Sequence, residues 1–223
     1  MKRGLVLVEG QTEERFVNEC LGPHFATHGL FLIATVVKTK RVVGGADFAG
    51  GVTSHGQVRR DLGLLLRDSD ASVITTLLDY YALPSDFPGM RDRPNGSGEQ
   101  RVAHVETAWA ATVGDRRFVP HLTLHEFEAW VYADPSRLEP WMFDDDERVI
   151  PGIGAVAAAH RTPEDIDEGH ATAPSKRLRR VFRSYQKALH GPLAVSAIGV
   201  DRIRAVCPHF SAWLQRVEML SAA

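Results

Sequence analysis

An α/β fold with a mostly parallel central sheet flanked by helices is what this sequence predicts, and three observations carry the prediction. Short β-prone runs alternate with amphipathic helical stretches along the first half of the chain. The runs at Leu5–Val8 and at residues 71–78 end in an acid, Glu9 and Asp79, as strands do where a sheet opens to a ligand. The chain has 223 residues, 44% of them apolar and 24% charged, enough for one sizeable core and ordinary for a globular protein.

Each element follows from its local pattern. Gly4-Leu-Val-Leu-Val8 reads as a strand, Glu9-Gly10 as a turn, and Gln11 to Leu21 as a helix with Phe16, Val17, Cys20 and Leu21 on one stripe. Glu13 and Glu14 place anionic side chains in its first turn. Leu30 to Val37 reads as a second strand, followed by a basic, glycine-rich loop through Lys38, Arg41, Gly44-Gly45 and Gly50-Gly51. Ser54 is placed to cap a helix reaching about Arg67, with Val58, Leu62, Leu65 and Leu66 inward. Ala71 to Leu78 is the third strand, Leu83 to Gly89 a turn-rich loop, and Gly98 to Val113 a helix with Val102, Val105, Trp109 and Val113 inward. Phe118 to Leu124 makes a shorter fourth strand, and Asp134-Pro135 breaks the helix beyond it. Asp144 to Glu147 reads as a solvated acidic turn. From Pro174 onward come two or three helices, the first with Leu178, Val181, Phe182, Tyr185 and Leu189 on one face. The division expected is a core over residues 1–140 and a C-terminal helical extension over 141–223 packed on it, if not one continuous domain.

Composition excludes several function classes. No segment approaches the ~18 apolar residues of a membrane span, and none resembles a secretory leader, so a cytoplasmic protein without membrane contact is expected. Cys20 and Cys207 have no metal-binding spacing and read as buried thiols. There is no GxxxxGK[ST] segment for nucleotide hydrolysis, no nucleophile elbow and no aromatic-rich sugar cleft. The net charge of -2 means that nucleic acid could be held only by a local basic face.

Carboxylates supply the chemistry. Glu9 and Asp79 close two strands, and Glu126 and Glu128 follow the fourth, so separate pieces of chain deliver acids to one rim. Hard divalent cations bind carboxylate oxygen, and two of them about 4 Å apart can activate water and offset charge during phosphodiester cleavage. Glu9, Asp79 and Glu128 are the expected ligands, with Glu126 and Asp86 as additions. On a helix Glu126 and Glu128 would point about 200° apart, so only one should face the metal, and Glu128 is preferred.

These residues resemble a family. Val8-Glu9-Gly10-Gln11-Thr12-Glu13 is similar to the opening glutamate motif of Toprim domains, and Leu77-Leu78-Asp79-Tyr80-Tyr81 to the strand carrying their Asp-x-Asp pair. Val8 to Cys20, Leu78 to Gly89, Leu124-His-Glu-Phe-Glu-Ala129, Thr172 to Arg177, Tyr185 and His190-Gly-Pro192 together resemble the bacterial domain of unknown function 4276. The resemblance implies a Toprim/Rossmann-like fold, similar to RloB-like proteins and to the nuclease half of the overcoming-lysogenization-defect family. It also implies a Mg2+- or Mn2+-dependent nuclease of DNA or RNA, an ABC-type ATPase encoded nearby and a role in defence against phage. Tyr81 stands where the second aspartate would be, so either Asp86 swings in or fewer ions bind.

Roles follow. Glu9 binds metal and helps deprotonate water, Asp79 is the central ligand, Glu128 completes the shell, and His125, three residues from Glu128, touches a phosphate or the leaving group. Lys176, Arg177, Arg179, Arg180, Arg183 and Lys187 crowd one expected helix, of which Lys176, Arg180 and Lys187 are the candidate phosphate contacts. The competing reading is a Toprim-like domain without catalysis that docks an ATPase, and a third is phosphodiester synthesis. A homodimer is also open, with Trp141-Met142-Phe143 as a partner surface or as part of the core.

Overall fold

A computed structural model describes residues 2–37, 52–142, 147–166, 169 and 171–222. Strands β1 (Lys2–Val8), β2 (Leu30–Val36), β3 (Ala71–Asp79), β4 (Phe118–Val119) and β5 (Leu122–Thr123) form one sheet. The order is β2-β1-β3-β4, with β5 also on β3, and each of these pairings is parallel. Helices cover both faces, which is the expected α/β layering. Leu5 and Leu7 of β1 enter one core and Val6 and Val8 the other, because successive side chains alternate across a strand. Each such side chain, fully buried, contributes roughly 1.5–3 kcal/mol. Gly4 permits the tight packing of β1 between its neighbours, since a Cβ there would lie 2.7 Å from Leu32 Cδ2 and 2.9 Å from Val73 Cγ1.

The fourth strand, expected as one run, is two short ones. Pro120 has no N–H to give to the ladder, and the chain steps off β3 there. Thr76 bridges the gap: its hydroxyl accepts from His121 N and donates to His121 O, each at 2.9 Å.

On one face lie α3 (His55–Leu66) and α4 (Gly98–Val113). Ser97 caps α4, accepting from Gln100 N while Gln100 accepts from Ser97 N, and Gly114 at φ 67° closes the helix. Ser54 has extended backbone, but its side chain makes no capping bond to α3; both oxygens of Asp86 instead accept from His55 N at 3.0 Å.

The other face carries α1 (Gln11–Phe16), which continues through a π-helical turn at Val17–Leu21 into α2 (Gly22–Ala26). Pro23, which cannot donate to the preceding turn, follows this widening. Beyond the sheet come 3₁₀ segments at Phe127–Ala133, Pro135–Trp141 and Pro163–Asp165. Helices α5 (Val149–Ala158), α6 (Pro174–Val181), α7 (Lys187–Ile198), α8 (Val200–Val206) and α9 (Pro208–Ala222) complete the layer. Leu178, Val195, Ile203, Phe210 and Leu214 share one apolar cluster with Val6, Val8 and Phe16, so the C-terminal helices complete the core on this face.

Two expectations need correction, and a third, left open between partner surface and core, falls toward the core. The long basic helix is two helices: the backbone turns at Phe182 (φ -108°, ψ 89°), and α7 begins afresh at Lys187. Cys20 is half-buried, with its Sγ 3.3 Å from Ser196 Oγ, whereas Cys207 is buried as expected. Trp141 and Met142 are half-buried against the core. Phe143, Asp144 to Asp146 and the glycine-rich segment 38–51 lie outside the described residues. Among the described residues no helix is long and apolar enough to cross a membrane.

Candidate functional site

Parallel pairing brings the carboxyl ends of β1 and β3 side by side, with Val8 opposite Leu77 and Glu9 N donating to Leu77 O. The next side chains are therefore neighbours. Glu9 Oε2 accepts from Asp79 N at 3.0 Å, and Asp79 Oδ1 accepts from Phe127 N at 2.9 Å, which ties the first 3₁₀ segment to the sheet. From that segment come two more acids. Glu128 is completely buried, and Glu126 is tied to α6 by Ser175, whose N and Oγ donate to it at 2.9 and 3.0 Å. Helix-end N–H groups are a natural partner for such a carboxylate.

One ammonium stands among them. Lys187 Nζ lies 2.9 Å from Glu128 Oε2 and 3.6 Å from both Asp79 Oδ2 and Glu126 Oε1. Glu13, in the first turn of α1, joins from behind: it is buried, and its Oε2 accepts from Gly10 N at 2.9 Å. Among the described residues, five carboxylates thus gather around a single lysine, three of them paired with it directly.

Electrostatics follow from that imbalance. Burial raises the Asp79 carboxyl well above the usual aspartate range, against the pull of Lys187 and with the further push of Glu9, Glu13 and Glu128. Burial likewise raises Glu9, opposed by the Asp79 N–H and Lys187, and raises Glu128, opposed by Lys187. Glu13 is pushed up to about 7, first by burial and then by Glu9. Burial works against the charge of Lys187, but Glu128, Asp79 and Glu126 outweigh it and hold the group above the ordinary lysine range.

The residues present fit a hard divalent cation. The donors are all oxygen, the set suited to Mg2+ or Mn2+. Both oxygens of Glu128 are buried, and beyond the Lys187 ion pair neither has a hydrogen-bond partner among the described residues. Gly191 lets the backbone of α7 approach them closely, because a Cβ there would lie 2.9 Å from Tyr185 Oη and 3.6 Å from Glu128 Oε1. Tyr185 Oη is itself buried without a hydrogen-bond partner among the described residues.

Of the acids singled out by sequence, Glu9, Asp79, Glu126 and Glu128 come together and Asp86 does not, being engaged at the N-terminus of α3. The helical-face argument against Glu126 fails for a local reason. Glu126 is extended (φ -148°, ψ 157°) and precedes the 3₁₀ turn, so it and Glu128 both reach Lys187. The same break removes the three-residue helical relation of His125 to Glu128. His125 adopts φ 69°, accepts from Tyr81 N through its carbonyl, and packs its ring on Gly98, where a Cβ would lie 2.9 Å from Cε1. Lys187 faces the acids, while Lys176 is half-exposed and Arg180 exposed on α6. Sequence reasoning missed Glu13, Ser175 and Tyr185 as neighbours of the acids. Glu13 had one available signal, its position four residues after Glu9 with a helical turn between them.

Two solved structures are similar to this chain in outline. The C-terminal region of the Burkholderia pseudomallei OLD protein matches at TM-score 0.47 and 13% identity, covering 100% of this chain and 98% of that one. The C-terminal region of the Xanthomonas campestris pv. campestris OLD protein matches at TM-score 0.45 and 15% identity, covering 100% and 97%. No curated protein matches. The family model described as Domain of unknown function (DUF4276) matches residues 8–218, and the chain belongs to that family.

Proposed function

We propose that this chain is a Toprim-like, divalent-metal-dependent nuclease that hydrolyses phosphodiester bonds in DNA or RNA. The observation that carries the reading is the gathering of five buried carboxylates at the strand ends around one ammonium among the described residues, three of them paired with it, a surplus of acid that a further cation would offset. Glu9, Asp79 and Glu128 would hold the ion, with Glu126 beside them. A bound Mg2+ or Mn2+ supplies activation of water and compensation of charge on the phosphate. Glu9, its pKa raised by burial, is suited to take the proton of the attacking water as the new P–O bond forms and the ester P–O bond breaks. Lys187 offers its ammonium to the phosphate oxygens; His125, whose ring packs on Gly98, is given no part in the step. Lys176 and Arg180 on α6, a helix anchored to the cluster through Ser175 and Glu126, are the proposed backbone contacts. The reading extends to a defence role with a nearby-encoded ABC-type ATPase in the cytoplasm.

The test is cleavage of DNA, tRNA and other RNA by purified protein with Mg2+ or Mn2+, alone and with that ATPase. The expected result is cleavage lost on chelation and lost in Asp79→Asn. Metal-independent cleavage, or full activity in that variant, overturns the reading. A second reading, a docking subunit without catalysis, is favoured by Tyr81 at the second aspartate position and by Lys187 already pairing with three acids. No cleavage under any condition, with stable binding to the ATPase, would select it.

A further inference from the structure

A second buried cluster uses other residues and other chemistry. Glu106 of α4, His121 between β4 and β5, and His209 of α9 each offer one ligand atom, all within 4.8 Å of one another. Glu106 Oε1 lies 3.1 Å from His209 Nε2 and 3.8 Å from His121 Nδ1. Ligands of a tetrahedral zinc ion, each about 2.0–2.2 Å from the metal, stand about 3.3–3.6 Å apart, a spacing these two distances bracket.

His121 points to a ligand independently. It is 1% exposed, and neither of its ring nitrogens has a hydrogen-bond partner among the described residues. A buried neutral imidazole without a partner for its donor or acceptor is costly. The ring is also fixed in place, stacked on Trp213 at 4.2 Å and on His209 at 4.9 Å, with its backbone clamped by Thr76. The other two groups are equally set. Glu106 Oε1 accepts from Leu122 N at 2.8 Å, and Glu164 accepts from His209 N and Phe210 N, anchoring the start of α9. The other three-residue group, His24, His28 and Glu218, is a poorer candidate because Arg204 already grips both oxygens of Glu218.

We propose that Glu106, His121 and His209 bind a zinc-class divalent ion that clasps α9 to α4 and to the β4–β5 junction. Two imidazoles and one carboxylate suit a borderline transition metal rather than magnesium, so the site is independent of the acid cluster.

The test uses untagged full-length protein in excess Mg2+, loaded with Co2+ or Zn2+. Wild type should bind one equivalent, show the visible absorption of four-coordinate cobalt, and gain about 5–10 °C in unfolding midpoint at a hundredfold excess of zinc over its Kd. His209→Gln, at the less buried imidazole, should lose the absorption and the shift, while Asp79→Asn and His28→Ala keep both. The wild-type titration needs no variant, so misfolding of any mutant leaves it decisive. No cobalt absorption in wild type, absorption that persists in His209→Gln, or absorption lost in His28→Ala overturns the proposal.

Discussion

Among the described residues, five carboxylates at the carboxyl ends of β1 and β3 gather around one ammonium, whereas at the β4–β5 junction one carboxylate faces two imidazoles. The imidazole cluster can be near neutral: burial pushes the His121 ring well below the usual histidine range, and His209 is held up by Glu106 despite its own burial. Among the described residues the acid cluster has no such outlet. Its groups must take up protons or find a cation, so its stability depends on pH and on added metal. Evolved folds tolerate local conflict of this kind chiefly at functional sites.

The largest effect that would sharpen this contrast is on cleavage. Removing the charge of a direct acid, as in Asp79→Asn or Glu9→Gln, should lower metal-dependent hydrolysis at least about a hundredfold. Neither change should cost metal-free stability, because each relieves repulsion. Comparable unfolding midpoints with normal cleavage would break the link between the acid surplus and the chemistry.

A second test is the pH dependence of Glu13. Its carboxyl is raised from the ordinary glutamate value to about 7, so the native state holds a proton that the unfolded chain releases. Its contribution is fully present below about 4.5 and is lost as pH rises through about 7. Glu13→Gln should therefore gain on the order of 3 kcal/mol relative to wild type between pH 4.5 and pH 8, read from denaturant unfolding without divalent metal. Saturating Mn2+ should shrink the gain. A flat difference across this range would show that Glu13 does not feel the cluster.

Lys187→Met asks whether the ammonium holds the acids together. Leaving Glu128 buried and unpaired should cost about 2–3 kcal/mol without metal, less than for a fully buried pair because a third of the lysine side chain is exposed. Mn2+ should restore much of the loss if a cation can substitute there. The smallest effect is expected for Asp86→Ala: about 1 kcal/mol of α3 capping and no change in cleavage, since Asp86 bonds His55 and not the acids.

The layered fold was legible because its signals are local. The run from Ala71 to Asp79 and the helix from Gly98 to Val113 carry their own periodicity and boundaries, and Glu9 and Asp79 meet because parallel strands end together. The misreadings arose where tertiary contacts set the outcome. Nothing local marks Phe182 as the end of α6, yet that break turns Lys187 from a surface cation into the partner of Glu128. A helical wheel separates Glu126 from Glu128, but Asp79 binds Phe127 N and the turn begins only after Glu126. His121 gave no signal, because its stacking on Trp213 joins residues far apart in the chain.

Titration of Mn2+ into metal-free protein, followed by the loss of its free-ion paramagnetic resonance signal, addresses the acid cluster most directly. Wild type should take up Mn2+ in competition with Mg2+, and Asp79→Asn and Glu128→Gln should each bind it at least about tenfold more weakly. Equal uptake by wild type and both variants would contradict a cation held between the ends of β1 and β3.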